Sequence, residues 1–443
     1  MTDDLPHPRR RERFISKLAG LLVRGVYRRV DVYRADDVAV GPQLSVSNHF
    51  GGFADPLLLI YAMPRVPRIV ARDVIWKYPV VRSIMNWAGA IPVHKAEDRG
   101  PGSNDVMFRS AYEALNSGSH VVIFPEGITR DEPSIGRVKT GAARIVLGAR
   151  ATGTEGIRIT PAGIHYEDKA SLRSDVSVLI GSSIDLDATI GDYVAPGDDA
   201  GPDNRAAVRS LTEVIETEIR RVAPDFADWR EARALTAGAE ILLRTLSDDP
   251  RKPITTADRD ALAGHLGRKP PEEKAKAVAA VDLYTDQLAS LGLDDGRLLS
   301  GLTGSRFVWR SIGLLLLAVM LLPFAVVGAL INWIPFLLVK AVGLLRVAPA
   351  VHSTIKPLAA IFFFGIAWGL ALWGVFQEWG TRGTLLAVML LPLYLGAVIV
   401  FLETAQTLWA SFRTWRHLHR ARTSEDVIES ARHEVLDVLV EAL

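Results

Sequence analysis

Three apolar runs toward the end of the chain limit its architecture more than any other feature. Ser311 to Ile331, Pro357 to Phe376 and Thr384 to Leu402 are each long enough to cross a bilayer of about 30 Å as a helix. A fourth segment, Pro335 to Val351, is shorter and interrupted by Lys340 and Arg346, which suits a short span, a re-entrant piece or an interfacial helix. Trp333 and Trp379 stand at run ends, where an amphipathic ring settles at headgroup level. Apart from Lys340, Arg346 and the terminal Glu403, the runs hold almost no ionisable side chains, whereas ion and substrate pathways generally need them. The runs therefore read as an anchor. Positive residues favour the cytoplasmic side, and they cluster before the first run (Arg306, Arg310), between the runs (Arg346, His352, Lys356) and after the last (Arg413, Arg416, Arg420, Arg422). Two helical hairpins would put all three clusters on one side, with outer turns at Asn332 to Pro335 and Gln377 to Gly383.

The remainder of the 443 residues leaves room for a separate polar unit. A net charge of +1 excludes a strongly basic nucleic-acid binder, and the absence of cysteine excludes disulfides, thiolate metal sites and a cysteine nucleophile. The polar first eight residues show no secretory signal. From Arg9 to Arg29, arginines and Lys17 alternate with Phe14, Ile15, Leu18, Leu21, Leu22, Val23 and Tyr27 at near-helical spacing. Such a helix suits an anionic membrane interface. A helix packed on its own domain with a solvated basic face fits the same pattern.

From Leu44 to about Ile184 strand patterns alternate with helical ones. Strands are expected near 30–33, 44–47, 68–71, 90–93, 121–124, 158–166 and 175–181, and helices at 57–63, 105–117 and 141–151. This alternation predicts an α/β fold, a layered, mostly parallel sheet with flanking helices. Loops at the carboxyl ends of its strands then converge on one face. Helical patterns follow at 206–222, 228–246 and on to about 298. The expected organisation is an interface helix (1–33), the α/β domain (34–190), a helical extension (204–300), a transmembrane region of two hairpins (307–405) and a basic helical tail (406–443).

One stretch of the α/β domain carries chemistry. Ser47-Asn48-His49-Phe50-Gly51-Gly52-Phe53-Ala54-Asp55-Pro56 lies where a strand gives way to a helix, and it joins an imidazole to a carboxylate. A neutral imidazole takes a proton from a hydroxyl near neutral pH, and a carboxylate on its other nitrogen fixes the tautomer and stabilises the imidazolium. Without a nucleophile of its own, the pair suits activation of a substrate's hydroxyl. A helix cap at His49 with Asp55 as a dipole partner is the alternative.

Downstream blocks in fixed order favour the chemical reading. Trp87-Ala88-Gly89-Ala90-Ile91-Pro92-Val93-His94-Lys95 reads as a strand ending in a cation, Phe124-Pro125-Glu126-Gly127-Ile128-Thr129-Arg130 follows an apolar strand, and Ile159-Thr160-Pro161-Ala162-Gly163 closes the set. Together with Asn48-His49 to Asp55 they resemble the glycerol-3-phosphate and lysophosphatidate acyltransferase superfamily. The spacing departs from the common form, with five residues between His49 and Asp55 and the basic residue of the third block delayed to Arg130. A subgroup that includes fungal glycerol-3-phosphate acyltransferases shares both departures.

The resemblance implies an O-acyltransferase in the cytoplasmic membrane, its catalytic domain on the cytoplasmic side. The donor would be acyl-CoA or acyl-carrier protein and the acceptor glycerol-3-phosphate or lysophosphatidate, with no metal and no cofactor. His49 and Asp55 would be catalytic, and Lys95, Glu126, Gly127 and Arg130 substrate-binding. Lys95 and Arg130, ahead of Lys139 and Arg144, would hold the phosphate by charge-assisted bonds. Backbone N–H groups near Gly51-Gly52 or Gly127 would serve a developing oxyanion. For Glu126 two readings stand, positioning of the acceptor or pairing with Arg130 to hold the loop. His94, His120 and His165 read as strand residues, since no metal-binding spacing accompanies them, and a metal site from His49, Asp55 and Glu126 is the weaker chemical alternative. A lipid-binding anchor without turnover, or a transporter with a regulatory domain, is the competing class.

Overall fold

The computed structural model describes residues 10–35, 41–93, 105–169, 171, 173–249, 254–290, 293–299, 305–346, 349–421 and 425–443. The chain divides into two compact units, residues 1–232 with 348–354, and residues 233–347 with 355–443.

The first unit is built on a sheet of order β1-β7-β6-β2-β5-β3-β4, with β8 paired to β6. Its strands are β1 (Arg29–Arg34), β2 (Gln43–Ser47), β3 (Arg68–Arg72), β4 (Ile91–Val93), β5 (His120–Ile123), β6 (Arg158–Tyr166), β7 (Asp175–Ile180) and β8 (Ile184–Asp185). β2 pairs in parallel with β5 and β6, β5 with β3, and β3 with β4. β7 and β8 run antiparallel to β6, and β1 is parallel to β7, so one edge of an otherwise parallel sheet is reversed. β2 and β5 are buried along their whole length, as expected of central strands covered on both faces.

The cover comes from helices α1 (Arg10–Val26), α2 (Ala54–Ala62), α3 (Pro79–Ala88), α4 (Asp105–Asn116), α5 (Gly141–Ala151) and α6 (Arg205–Val222). Successive side chains of a strand point to opposite faces, and β5 shows the division. Val121 and Ile123 join a core with Leu44, Val46 and the inner faces of α4, α5 and α6, whereas Val122 joins Leu58 and Leu59 of α2 and Val23 of α1.

Helix α3 and the 3-10 turn before it, Asp73–Lys77, were not anticipated. The block read as a strand from Trp87 enters its strand only at Ile91, because Trp87 and Ala88 close α3 and Gly89 caps it. α1 packs on its own domain by one face. Ile15, Ala19 and Val23 are buried against the domain, while Phe14, Leu18 and Leu21 stay exposed. Phe14 meets the exposed Trp87 of α3 edge-on at 5.8 Å.

Helix α7 (Trp229–Leu246) starts in the first unit and continues into the second, which adds α8 (Thr256–Gly267), α9 (Pro271–Ser290), α10 (Asp295–Leu299), α11 (Ser305–Val342), α12 (Pro349–Ala421) from residue 355 onward and α13 (Glu425–Glu441). α13 packs on α9, and the contact is fixed by a buried carboxylate. Asp295 Oδ1 accepts from Tyr284 Oη and from Arg432 Nε, both at 2.8 Å. The terminal Leu443 carbonyl accepts from Lys269 Nζ at 2.7 Å.

Among the described residues, two helices are long and apolar enough to cross a membrane, within Val308–Val342 and Thr354–Arg413. The turn expected at Asn332 to Pro335 is instead part of the continuous helix α11. Asn332 Nδ2 donates to Gly328 O at 2.9 Å, and Asn332 Oδ1 accepts from Trp368 Nε1 at 2.8 Å, so its amide is used up inside the rod. In an apolar setting unpaired backbone groups are costly, and a helix that runs through Pro335 forfeits fewer of them than an open turn. The other expected turn, Gln377 to Gly383, contains a break in α12 at Gly380 (φ 60°, ψ −159°). The arm before Gly380 runs antiparallel to α11, since Asn332 meets Trp368 and Phe336 meets Phe364. The arm after it meets α11 at Phe324 and Tyr394.

Candidate active site

β2, β5 and β6 are neighbours and parallel, so the segments leaving their carboxyl ends meet. Asn48 sets the first of these segments by acting as a backbone surrogate: its Oδ1 accepts from Ile164 N at 2.8 Å and its Nδ2 donates to Ile164 O at 3.0 Å. His49 follows at the rim. Its side chain is 20% exposed, and the ring stacks on Phe124 at 4.3 Å.

His49 Nδ1 lies 2.7 Å from Asp55 Oδ2. Because an ionised carboxylate only accepts, the ring proton belongs on Nδ1, and Nε2 keeps its lone pair. Asp55 is completely buried in the first turn of α2. The Gly51 N–H donates to both of its oxygens, at 3.0 and 2.9 Å, and Tyr166 Oη donates to Oδ1. A Cβ at position 51 would collide with the Tyr166 hydroxyl, which is why this corner needs glycine. Burial, then the charge of Asp55, push the Tyr166 phenol well above its ordinary range, so it remains a donor.

The segment after β5 is stapled to the His49 segment in both directions. Glu126 Oε1 accepts from His49 N at 3.1 Å, and Arg130 N donates to His49 O at 3.0 Å. Glu126 Oε2 accepts from Gly136 N at 2.8 Å and lies 4.0 Å from Arg130 Nε. Burial raises the Glu126 pKa, opposed by those two N–H donors and by Arg130 and His49. Both oxygens face backbone donors, an arrangement that holds the loop. Gly127 adopts φ 71°, and the amine of Lys139 packs over it. Arg130 also faces Glu132 at 3.4 Å. Lys169 pins the same loop from within, with a 6% exposed side chain that donates to Arg130 O at 2.9 Å and Phe50 O at 3.3 Å and pairs with Asp131 at 2.9 Å.

The fold thus assembles His49, Asp55, Glu126, Gly127 and Arg130 in one place, while Lys95 and His94 lie outside the described residues. Two of the nominated oxyanion donors are engaged elsewhere: Gly51 N serves Asp55, and Gly127 N donates to Phe124 O at 3.0 Å. The trio His49, Asp55 and Glu126 is not arranged as a metal site, since Glu126 is spent on backbone N–H groups. His120 is buried in β5 against Ser45, and His165 Nε2 contacts Val222 O at 2.8 Å. Sequence reading missed Tyr166 and Lys169. Tyr166 stands 111 residues beyond Asp55, and only strand pairing brings the two together. Lys169 follows a strand end with no pattern around it.

Residues 29–165 match the model of the family described as Acyltransferase. Over 193 residues, 43% of this chain, the sequence is 26% identical to glycerol-3-phosphate O-acyltransferase 2 of Saccharomyces cerevisiae. That match covers 25% of the yeast protein, so the chain spans about a quarter of the length of this curated relative. Among solved structures, the 1-acyl-sn-glycerophosphate acyltransferase of Thermotoga maritima aligns with 47% of this chain and 77% of its own, at 18% identity and a TM-score of 0.35. The domain built around His49 is thus the part of the chain that the Acyltransferase model matches.

Proposed function

We propose that this protein is a membrane-bound O-acyltransferase that moves a fatty acyl group from the thioester of acyl-CoA or acyl-carrier protein to a hydroxyl of glycerol-3-phosphate or 1-acylglycerol-3-phosphate. The carrying observation is the His49–Asp55 pair at 2.7 Å, with Nε2 at the rim of a family-matched domain. In this reading Nε2 takes the acceptor hydroxyl's proton as its oxygen attacks the thioester carbonyl. Asp55 stabilises the imidazolium. When the tetrahedral intermediate collapses, the C–S bond breaks and His49 returns the proton to the departing thiolate, so no covalent enzyme intermediate is needed. Arg130, with Lys95, holds the acceptor phosphate, and the Glu126 loop fixes the floor under His49.

The membrane location rests on the two long apolar helices and on α1, whose exposed Phe14, Leu18 and Leu21 lie among Arg10, Arg11, Arg13 and Lys17. The catalytic domain would face the cytoplasm. Asp295 and Arg432 join α10 to α13 in a polar helical body, so the chain enters and leaves the bilayer on one side and at most two of the three apolar rods cross. Because the chain has no native cysteine, single cysteines at Ser305 and Ser424 in intact cells should both resist an impermeant label. Labelling of one alone would show an odd number of crossings.

The deciding assay gives purified protein in lipid acyl-CoA or acyl-carrier protein with either glycerol-3-phosphate or lysophosphatidate. Lipid product with stoichiometric free thiol is expected from one donor–acceptor pair. Binding of lipid without product in every arm would leave the anchor reading instead.

A further inference from the structure

Asp55 orients His49, yet nothing in the motif says what orients Asp55. In the fold the answer lies on a different strand. Tyr166, the last residue of β6, donates its hydroxyl proton to Asp55 Oδ1. Its other neighbour is Tyr27, one residue beyond α1, the two side chains hydrogen-bonded and the rings 6.0 Å apart. Tyr27 is 4% exposed, and its N–H donates to Val23 O at 2.8 Å, which extends the last turn of α1 to this point.

We propose that Tyr166 is a positioning residue for the His49–Asp55 pair, and that Tyr27 ties the end of helix α1 into the same line of hydrogen bonds. The proposal rests on His49 as the base. A fully buried carboxylate needs donors to stay ionised, and each donor also fixes its direction. The Gly51 N–H bridges both oxygens and so leaves rotation about the carboxylate's long axis open. The Tyr166 hydroxyl favours one oxygen and leaves the other for Nδ1, which selects the rotation that points at His49. The same bond draws negative charge away from Asp55 and moderates how strongly it holds the imidazolium. Removing the hydroxyl therefore has two consequences of known sign: the ring loses its alignment, and His49 becomes more basic.

The test is Tyr166→Phe, which keeps the ring and its packing. Expected are a kcat about tenfold lower, Michaelis constants for donor and acceptor within about twofold, and an acid limb of the pH–rate profile moved up by about half a unit. A role in packing alone would leave the acid limb where it is. Tyr27→Phe should give the same changes at smaller size, and it carries the test if Tyr166→Phe fails to fold. A readout free of turnover is the His49 imidazole titration in 15N-histidine-labelled protein, its resonance assigned by loss in His49→Gln. The midpoint should rise in Tyr166→Phe, and in Tyr27→Phe by less. An unmoved midpoint in folded variants overturns the proposal whatever His49 does in catalysis. Full turnover by His49→Gln would instead sink the general-base reading and leave the titration result intact.

Discussion

The two ends of strands β2 and β5 make an instructive pair. Each holds a histidine with polar partners, yet only the one at the carboxyl end lies at the rim. At the amino end Gln43 donates to Thr160 Oγ1 at 2.8 Å, and His120 uses Nε2 on Ser45 at 2.8 Å while Nδ1 lies 3.4 Å from Arg65 O. His120 is 2% exposed, and both of its nitrogens face the protein. At the carboxyl end His49 uses Nδ1 alone and presents the rest of its ring at the rim. Pairing is common to both ends. What differs is a ring nitrogen left over for a substrate.

Breaking the carboxyl end should produce the largest effect. His49→Ala is expected to lower turnover by a hundredfold or more, the scale of lost general-base catalysis, with the melting temperature unmoved. Asp55→Asn should act in the same direction, since an amide can no longer fix the Nδ1–H tautomer. Acyl transfer that survives His49→Ala would erase the distinction between the two ends.

Glu126→Ala should cost less, and in a different way. His49 N and Gly136 N would be left buried without an acceptor, a loss of about 1–3 kcal/mol in stability. With the backbone of His49 displaced, kcat/KM should fall about ten- to a hundredfold and equally for donor and acceptor. A rise in the acceptor's Michaelis constant alone, without loss of stability, would return Glu126 to direct acceptor positioning. Arg130→Ala sharpens the comparison further. If the guanidinium holds phosphate, the Michaelis constant of the phosphorylated acceptor should rise about tenfold while that of the acyl donor stays put. Equal changes would show that Arg130, beside Glu126 and Glu132, merely supports the loop.

How much of this was legible in the sequence depended on the range over which each feature is encoded. The parallel α/β core follows from short apolar strands such as His120–Ile123, buried on both faces, and the His49–Asp55 pair follows from residues six apart across one strand–helix junction. Tyr166 and Lys169 reach the site from beyond β6, and no local pattern marks them. Trp87 and Ala88 were misread because a ten-residue amphipathic helix ending at a glycine resembles the start of the apolar strand that follows. The expected turn at Asn332 to Pro335 failed for a related reason. Asn, Trp and Pro signal a turn in water, but inside an apolar rod Asn332 can bond to Trp368 and let the helix run on.

The smallest effect on activity, and the cleanest control, belongs to His120. Burial holds its pKa down to about 3, far below the ordinary value near 6.5. Between those values the folded protein binds fewer protons than the unfolded chain, so the stability linked to His120 is fully present above about pH 6.5 and declines as pH falls toward 3. The decline is limited to about 1.4 kcal/mol per pH unit for a single proton. His120→Gln removes the titration while keeping a polar side chain opposite Ser45. Thermal or denaturant unfolding at pH 7, 6 and 5 should show a shallower loss of stability in the variant, with turnover at neutral pH within about twofold of the parent. Parallel pH slopes would mean that His120 stays charged or solvated in the fold. A large loss of turnover at pH 7 would mean that the amino end of these strands reaches the chemistry after all.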